Sequence, residues 1–192
     1  MGRDRPVGDS RHRSLRAYRS FGIKRTSYRS AVERLVKNAL AGRSLPSINS
    51  FVDVYNAVSM RHVMPAGADD LDRVVGNLAF RCSRPNDSFV DMAANADQAG
   101  GTKATYAVDP PKEGEVVYAD EEKVLCRRWN WRQDARSLVT PETKRAVVTL
   151  QYNGAGDLNA AVADLTALIG RFAGGTTRAV VADHARPMID IA

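Results

Sequence analysis

Apolar side chains recur at helical spacing in the first third of this 192-residue chain and again near its end, while the middle holds only short β-like runs broken by turns. Ser30-Ala31-Val32-Glu33 matches a capping box, and Val32, Leu35, Val36, Ala39 and Leu40 follow at helical intervals until Gly42 offers a stop. Pro46 separates that helix from a second, expected from Asn49 or Ser50 to Arg61, on which Phe51, Val54, Tyr55, Val58 and His62 share one face. Asp53, Asn56 and Met60 point the other way, and Asp53 and Asn56 are neighbours one turn apart. A last helix follows Gly154-Ala155-Gly156-Asp157, carries Leu158, Val162, Leu165, Ile169 and Phe172, and stops at Gly174-Gly175. Strands are expected at 77–81, 115–119, 124–129 and 146–151. Residues 66–72 read as a polar connection and the Ala/Gly-rich stretch 92–105 as a mobile surface loop. Helices at both ends with strands between predict an α+β domain, a mixed or antiparallel sheet flanked by helices, rather than a regular βαβ chain.

The length suits one core. We expect a domain over 15–178, preceded by a flexible basic arm at 1–14 and followed by a C-terminal tail at 179–192. With 44% hydrophobic and 26% charged residues the chain is neither disordered nor membrane-embedded in composition. It has no stretch of about 18 apolar residues and no apolar signal region, which predicts a cytoplasmic protein without a membrane partner. Cys82 and Cys126 are isolated from each other and from histidines, so reduced, packed thiols are expected and no metal or other cofactor. Of 28 basic and 22 acidic side chains, nine and two fall in the first 29 residues, leaving 19 and 20 for the rest. A basic arm on a neutral body suits a phosphate backbone, because neutralised phosphates release counterions. A solvated tail is the alternative, and the first 17 residues offer no row of aromatic rings to stack on bases.

The densest chemical segment is Cys126-Arg127-Arg128-Trp129-Asn130-Trp131-Arg132-Gln133. Arginine presents a planar fork to carboxylate or phosphate and tryptophan a face to a base or cation, so Arg127, Arg128, Trp129, Asn130, Trp131 and Arg132 are candidate binding residues. The plainer alternative packs the indoles and pairs the arginines with acids. Asp53 and Asn56 either line a pocket or form the solvated face of an amphipathic helix. Asp69, Asp70 and Asp72 lack the Gly and terminal Glu of a calcium loop, so turn and cap duty is expected. His62 reads as a packed residue rather than a base, while His12 and His184 lie in the terminal segments. No G-x-S-x-G, phosphate-cradling loop or dinucleotide fingerprint is present, so covalent serine or cysteine catalysis is unsupported.

Taken in order, 49–59 with its Val52-Asp53-x-x-Asn56 run, then Pro65 to Asp70, 114–120, 126–132 and Thr140-Pro141-Glu142-Thr143-Lys144 resemble the free-standing B3/B4 domain proteins related to the phenylalanyl-tRNA synthetase β subunit. The resemblance covers about 45–175. In the synthetase this module hydrolyses tyrosine mischarged onto the phenylalanine tRNA. Its P-x-H-x-x-D stretch places a histidine in the editing pocket; Pro65 and Asp70 match it, but the histidine position is Gly67. A Gly-Gly pair in the synthetase's next strand is replaced by Arg127-Arg128, and Trp129-Asn130-Trp131 belongs to the solo proteins. The resemblance implies deacylation of a mischarged or non-protein aminoacyl-tRNA, with the tRNA acceptor end and a small aminoacyl group as ligands. Activated esters need a positioned water and oxyanion donors. Asn56, Asp70, Arg127 and Arg128 are the implied catalytic set; Asp53, Trp129, Asn130, Trp131, Arg132 and Thr143 are the implied substrate contacts. A non-catalytic module for an amino acid, nucleoside or tRNA, or an enzyme recruited to an amino-acid-derived metabolite, are the alternatives.

Overall fold

A computed structural model of the chain describes residues 5–20, 22, 30–45, 47–92 and 109–191. Four helices and two antiparallel sheets form one α+β domain among these residues. In chain order they are α1 (Arg5–Ser20), α2 (Ala31–Leu40), α3 (Ser50–His62), β1 (Ala66–Asp70), a 3-10 turn (Leu71–Arg73), β2 (Ala79–Cys82), β3 (Val116–Ala119), β4 (Val124–Arg127), β5 (Arg132–Gln133), β6 (Ala146–Leu150) and α4 (Leu158–Phe172).

Three helices begin where side-chain oxygens cap them. Ser30 accepts from Glu33 N at α2, Asn49 from Val52 N at α3 and Asp157 from Ala160 N at α4. Each cap satisfies one of the orphan donors of a first turn, typically worth about 1 kcal/mol. β1 pairs with β6 from Ala66 opposite Leu150 to Asp70 opposite Ala146. The other sheet runs β2-β3-β4-β5. Its core is Phe89, Val117, Ala119 and Val124. A second core joins Val52 and Tyr55 of α3 to Ala68, with Ala66, Val148 and Leu165 packed against it. The helix-facing side of the two-stranded sheet thus carries Ala66, Ala68 and Val148. Because side chains alternate across a strand, Gly67 and Asp69 lie on the opposite side, with Thr149 paired to Gly67.

The structure departs from the sequence-based expectations at four places. Residues 5–14, expected as part of a flexible arm, are helical. Helix α1 is held from outside its own sequence: Tyr18 is buried, its ring 5.0 Å from Trp129 and its hydroxyl donating to Asn130 Oδ1. Residues 66–70, expected in a connection, form β1. Ala, Gly and Asp have poor strand propensity, but pairing with β6 overrides it. The strand expected over 124–129 ends at Arg127, because Arg128 (φ 47°) and Trp129 (φ 51°) turn left-handed. Cys126 is half-buried, and burial pushes its thiol pKa up, whereas Cys82 is exposed rather than packed. Residues 93–105 of the expected loop, and 1–4 of the arm, lie outside the described residues. No helix among the described residues is long and apolar enough to cross a membrane.

Candidate functional site: the seam between the two sheets

The β4–β5 turn concentrates charge. The Arg127 fork donates from Nε and Nη2 to Glu115 at 2.9 and 2.8 Å, and its Nη1 reaches Asp109 Oδ2 at 2.5 Å. Arg127 and Glu115 are both buried, which makes this a two-point, charge-assisted pair inside the protein. Arg128 is buried too, and its backbone N–H donates to Glu115 Oε1 at 3.2 Å. Trp131 is the centre of a cation stack: the guanidinium carbons of Arg128, Arg132 and Arg127 lie 4.3, 4.7 and 5.6 Å from its ring centroid. Arg132 also pairs with buried Asp91. Asn130 is structural on two sides. It accepts from Tyr18 and its carbonyl receives Ala31 N at 3.0 Å, so one turn anchors both α1 and α2.

Helix α3 and β1 hold the remaining sequence candidates. Asp53 accepts from Ser47 Oγ and Ile48 N, which holds its carboxyl below the usual range and ties down the approach to α3. Asn56 is half-buried one turn later, and its side chain makes no hydrogen bond among the described residues. Asp70 caps the 3-10 turn through Asp72 N and accepts from Thr143 Oγ1 at 2.6 Å, so these two candidates touch. His62, at 2.7 Å from Asp164 of α4, is the packed residue expected. No hydrogen bond or ion pair among the described residues joins Asp53, Asn56 or Asp70 to the arginine turn.

Between the sheets lies a polar seam that the sequence reading did not single out. Gln133 of β5 donates to the Ala68 carbonyl and to Asp69 Oδ1, the latter at 3.2 Å; Ser137 Oγ donates to the same Oδ1 at 2.6 Å. Burial raises the Asp69 carboxyl to about 6, outweighing the lowering by Ser137 and Gln133, and the negative fields of Asp134 and Asp120 add to the rise. The same carboxylate contributes to the raised Tyr118 and Cys126 groups and to Tyr55, pushed up to about 12, although burial is the first cause in each. Beside it, a Cβ built on Gly67 would meet only Thr149 Oγ1, at 3.9 Å, and Gly67 is not in the left-handed region. The strand therefore accepts a Cβ there without a clash. Reading 66–70 as a strand would have exposed the link, since Gly67 and Asp69 then share a face. No group of three or more His, Cys, Asp or Glu among the described residues is placed to hold a metal ion.

Helix α1, seated on the β4–β5 turn through Tyr18, carries exposed His12, Arg13, Arg16 and Arg19. The three arginines recur every three residues, so they form one stripe along the helix. A Cβ on Gly154 would meet Arg13 Nη1 at 2.7 Å, which sets the helix against the loop before α4.

A model of the B3/4 domain matches residues 14–172. The phenylalanine–tRNA ligase beta subunit of Fusobacterium nucleatum subsp. nucleatum is 29% identical over 91 residues, 47% of this chain and 10% of that protein. That of Mycoplasma genitalium is 28% identical over 91 residues, with the same shares. The chain therefore spans about a tenth of the length of these relatives.

Proposed function

From its place in the B3/4 domain family, to which the chain belongs, we propose that the protein hydrolyses the ester of a mischarged or non-protein aminoacyl-tRNA in trans. Water adds to the ester carbonyl, the carbonyl carbon–oxygen bond to the tRNA breaks, and the products are the free amino acid and the tRNA hydroxyl. No cofactor or covalent nucleophile enters this scheme. The observation that supports it best is the family match across 14–172 combined with the open backbone position at Gly67 beside Thr149. The reaction centre lies on the seam side of β1. Asn56 of α3 and Asp70, on the helix-facing side of the same strand, hold β1 from behind as positioning residues, with Thr143 fixing the Asp70 carboxylate. Arg127 holds Glu115, and the Arg128 and Arg132 guanidiniums stack with Trp131 to shape the pocket wall. Asp53 positions the start of α3, while Trp129 and Asn130 position α1. The arginine stripe of α1 follows the tRNA backbone next to the acceptor end, since phosphate contacts position a nucleic acid without reading it.

A second reading is a binding module without turnover. It is favoured by glycine standing where the synthetase module has its pocket histidine, and by Arg127 spending its fork on Glu115 and Asp109 rather than on an oxyanion. Deacylation of a panel of aminoacyl-tRNAs, including tyrosine and noncanonical residues on the phenylalanine tRNA, separates the two. Release of one amino acid by the wild type, accelerated in Gly67→His, is the expected result. No release by either protein, with tRNA binding retained, replaces the hydrolase with the binding module.

A further inference from the structure

Six carboxylates are buried among the described residues: Asp69, Asp70, Asp91, Glu115, Asp120 and Asp134. Five of them have a cation within ion-pair distance. Arg73 stands 3.7 Å from Asp70, Arg132 pairs with Asp91, Arg127 is 2.8 Å from Glu115, Lys123 2.6 Å from Asp120 and Arg136 2.7 Å from Asp134. Asp69 has none among the described residues, although its residue is only 4% exposed. Both of its hydrogen bonds, from Ser137 and Gln133, fall on Oδ1; no donor among the described residues reaches Oδ2.

An ionised carboxylate removed from water without a counter-charge is costly, and proteins ordinarily pair it or neutralise it. Here the neighbouring Asp134 and Asp120 make the field more negative rather than less. Among the described residues the seam thus lacks one positive charge, and it lacks it on the side of β1 where a Cβ at Gly67 would meet only Thr149. Hydrogen bonds from Ser137 and Gln133 fix Oδ1, so Oδ2 is held in a set direction by the fold. A divalent metal ion would want several hard oxygen ligands, and no acidic cluster of that kind is present among the described residues. A single carboxylate oxygen with two fixed neutral donors behind it suits an ammonium group.

We infer that Asp69 is the anchor for a protonated amine on the aminoacyl ligand, received by Oδ2 on the Gly67 side of β1. This rests on the proposed aminoacyl site and adds what that site recognises. An aminoacyl ester carries such an amine at its α carbon, and a lysine-like side chain carries another.

Calorimetric titration with three probes decides between these sources: phenylalaninamide, N-acetyl-phenylalaninamide and Nα-acetyl-lysinamide. Wild type and Asp69→Asn are compared, the variant keeping the shape and the acceptor for Ser137, with thermal melting confirming its fold. Phenylalaninamide is expected to bind wild type at least tenfold more tightly than its acetylated form, and Asp69→Asn to abolish that preference. Preference for Nα-acetyl-lysinamide, lost in the variant, assigns the amine to the side chain. Binding that ignores acetylation, binding unchanged in Asp69→Asn, or no binding of any probe overturns the inference. Turnover of aminoacyl-tRNA measured alongside keeps the two ideas apart. Deacylation indifferent to Asp69 leaves the hydrolase standing and removes the anchor; amine-dependent probe binding without deacylation does the reverse.

Discussion

Replacing Asp69 by asparagine changes one buried charge and almost no volume, and its effect on stability follows from the surroundings of the carboxyl. Burial lifts that group from an ordinary 3.8 to about 6 even though Ser137 and Gln133 donate to it. At about 1.4 kcal/mol per pH unit, the rise corresponds to about 3 kcal/mol. The sign is set by linkage. Between about pH 4 and pH 6 the folded protein holds a proton that the unfolded chain has released, so the contribution of Asp69 to stability is fully present below pH 4 and lost as pH rises through 6. Asparagine has no such charge to desolvate, and its carbonyl still accepts from Ser137. At pH 7.5 the variant should therefore be more stable by up to about 3 kcal/mol, a rise in melting temperature of about 6 to 12 °C for a chain of this size. The gain should shrink through pH 6 to 4 and vanish below. Urea denaturation of both proteins at half-unit pH intervals is the assay. A variant no more stable than wild type at pH 7.5, or a difference that does not change between pH 4 and 6, refutes the reasoning. If the gain comes with lost amine binding, Asp69 is a residue retained at a cost to stability.

Two further outcomes test other parts of the structure. Arg127→Met takes the fork from buried Glu115, leaves it only Arg128, whose Nε is 3.8 Å away, and should cost about 3 kcal/mol, read as a lowered urea midpoint; an unchanged midpoint would show that Arg128 alone suffices to hold Glu115. The double variant Arg16→Glu, Arg19→Glu touches exposed positions only, so melting should stay within about 0.5 kcal/mol of wild type while the log–log salt slope of tRNA binding falls by about two. An unaltered slope removes α1 from the tRNA contact.

The arginine turn shows how unevenly a site can be read from sequence. Residues 126–133 stood out by composition alone, and the structure does gather Arg127, Arg128 and Arg132 around Trp131. Their partners could not be foreseen. Glu115, Asp109 and Asp91 are distant in sequence and have ordinary contexts there, so whether those arginines face a ligand or an internal acid is decided only when β3, β4 and β5 assemble. Asp69 is the reverse case: an unremarkable member of an acidic run becomes the one buried carboxylate without a cation among the described residues, because pairing of β1 with β6 turns it inward.

What the sequence determined by itself is what depends on near neighbours. The caps at Ser30, Asn49 and Asp157, the helical spacing in α2, α3 and α4, and the apolar runs of β2, β3, β4 and β6 all lie within a few residues of their causes. Tertiary structure decided the rest. It made a strand of Ala66–Asp70, fixed α1 through Tyr18 and Trp129, ended β4 in a left-handed turn, and assigned a counter-ion to every buried acid but one among the described residues. Local propensities are worth tenths of a kcal/mol to about one, whereas strand pairing, ring burial and the desolvation of charge are worth several, so the long-range terms prevail wherever the two disagree.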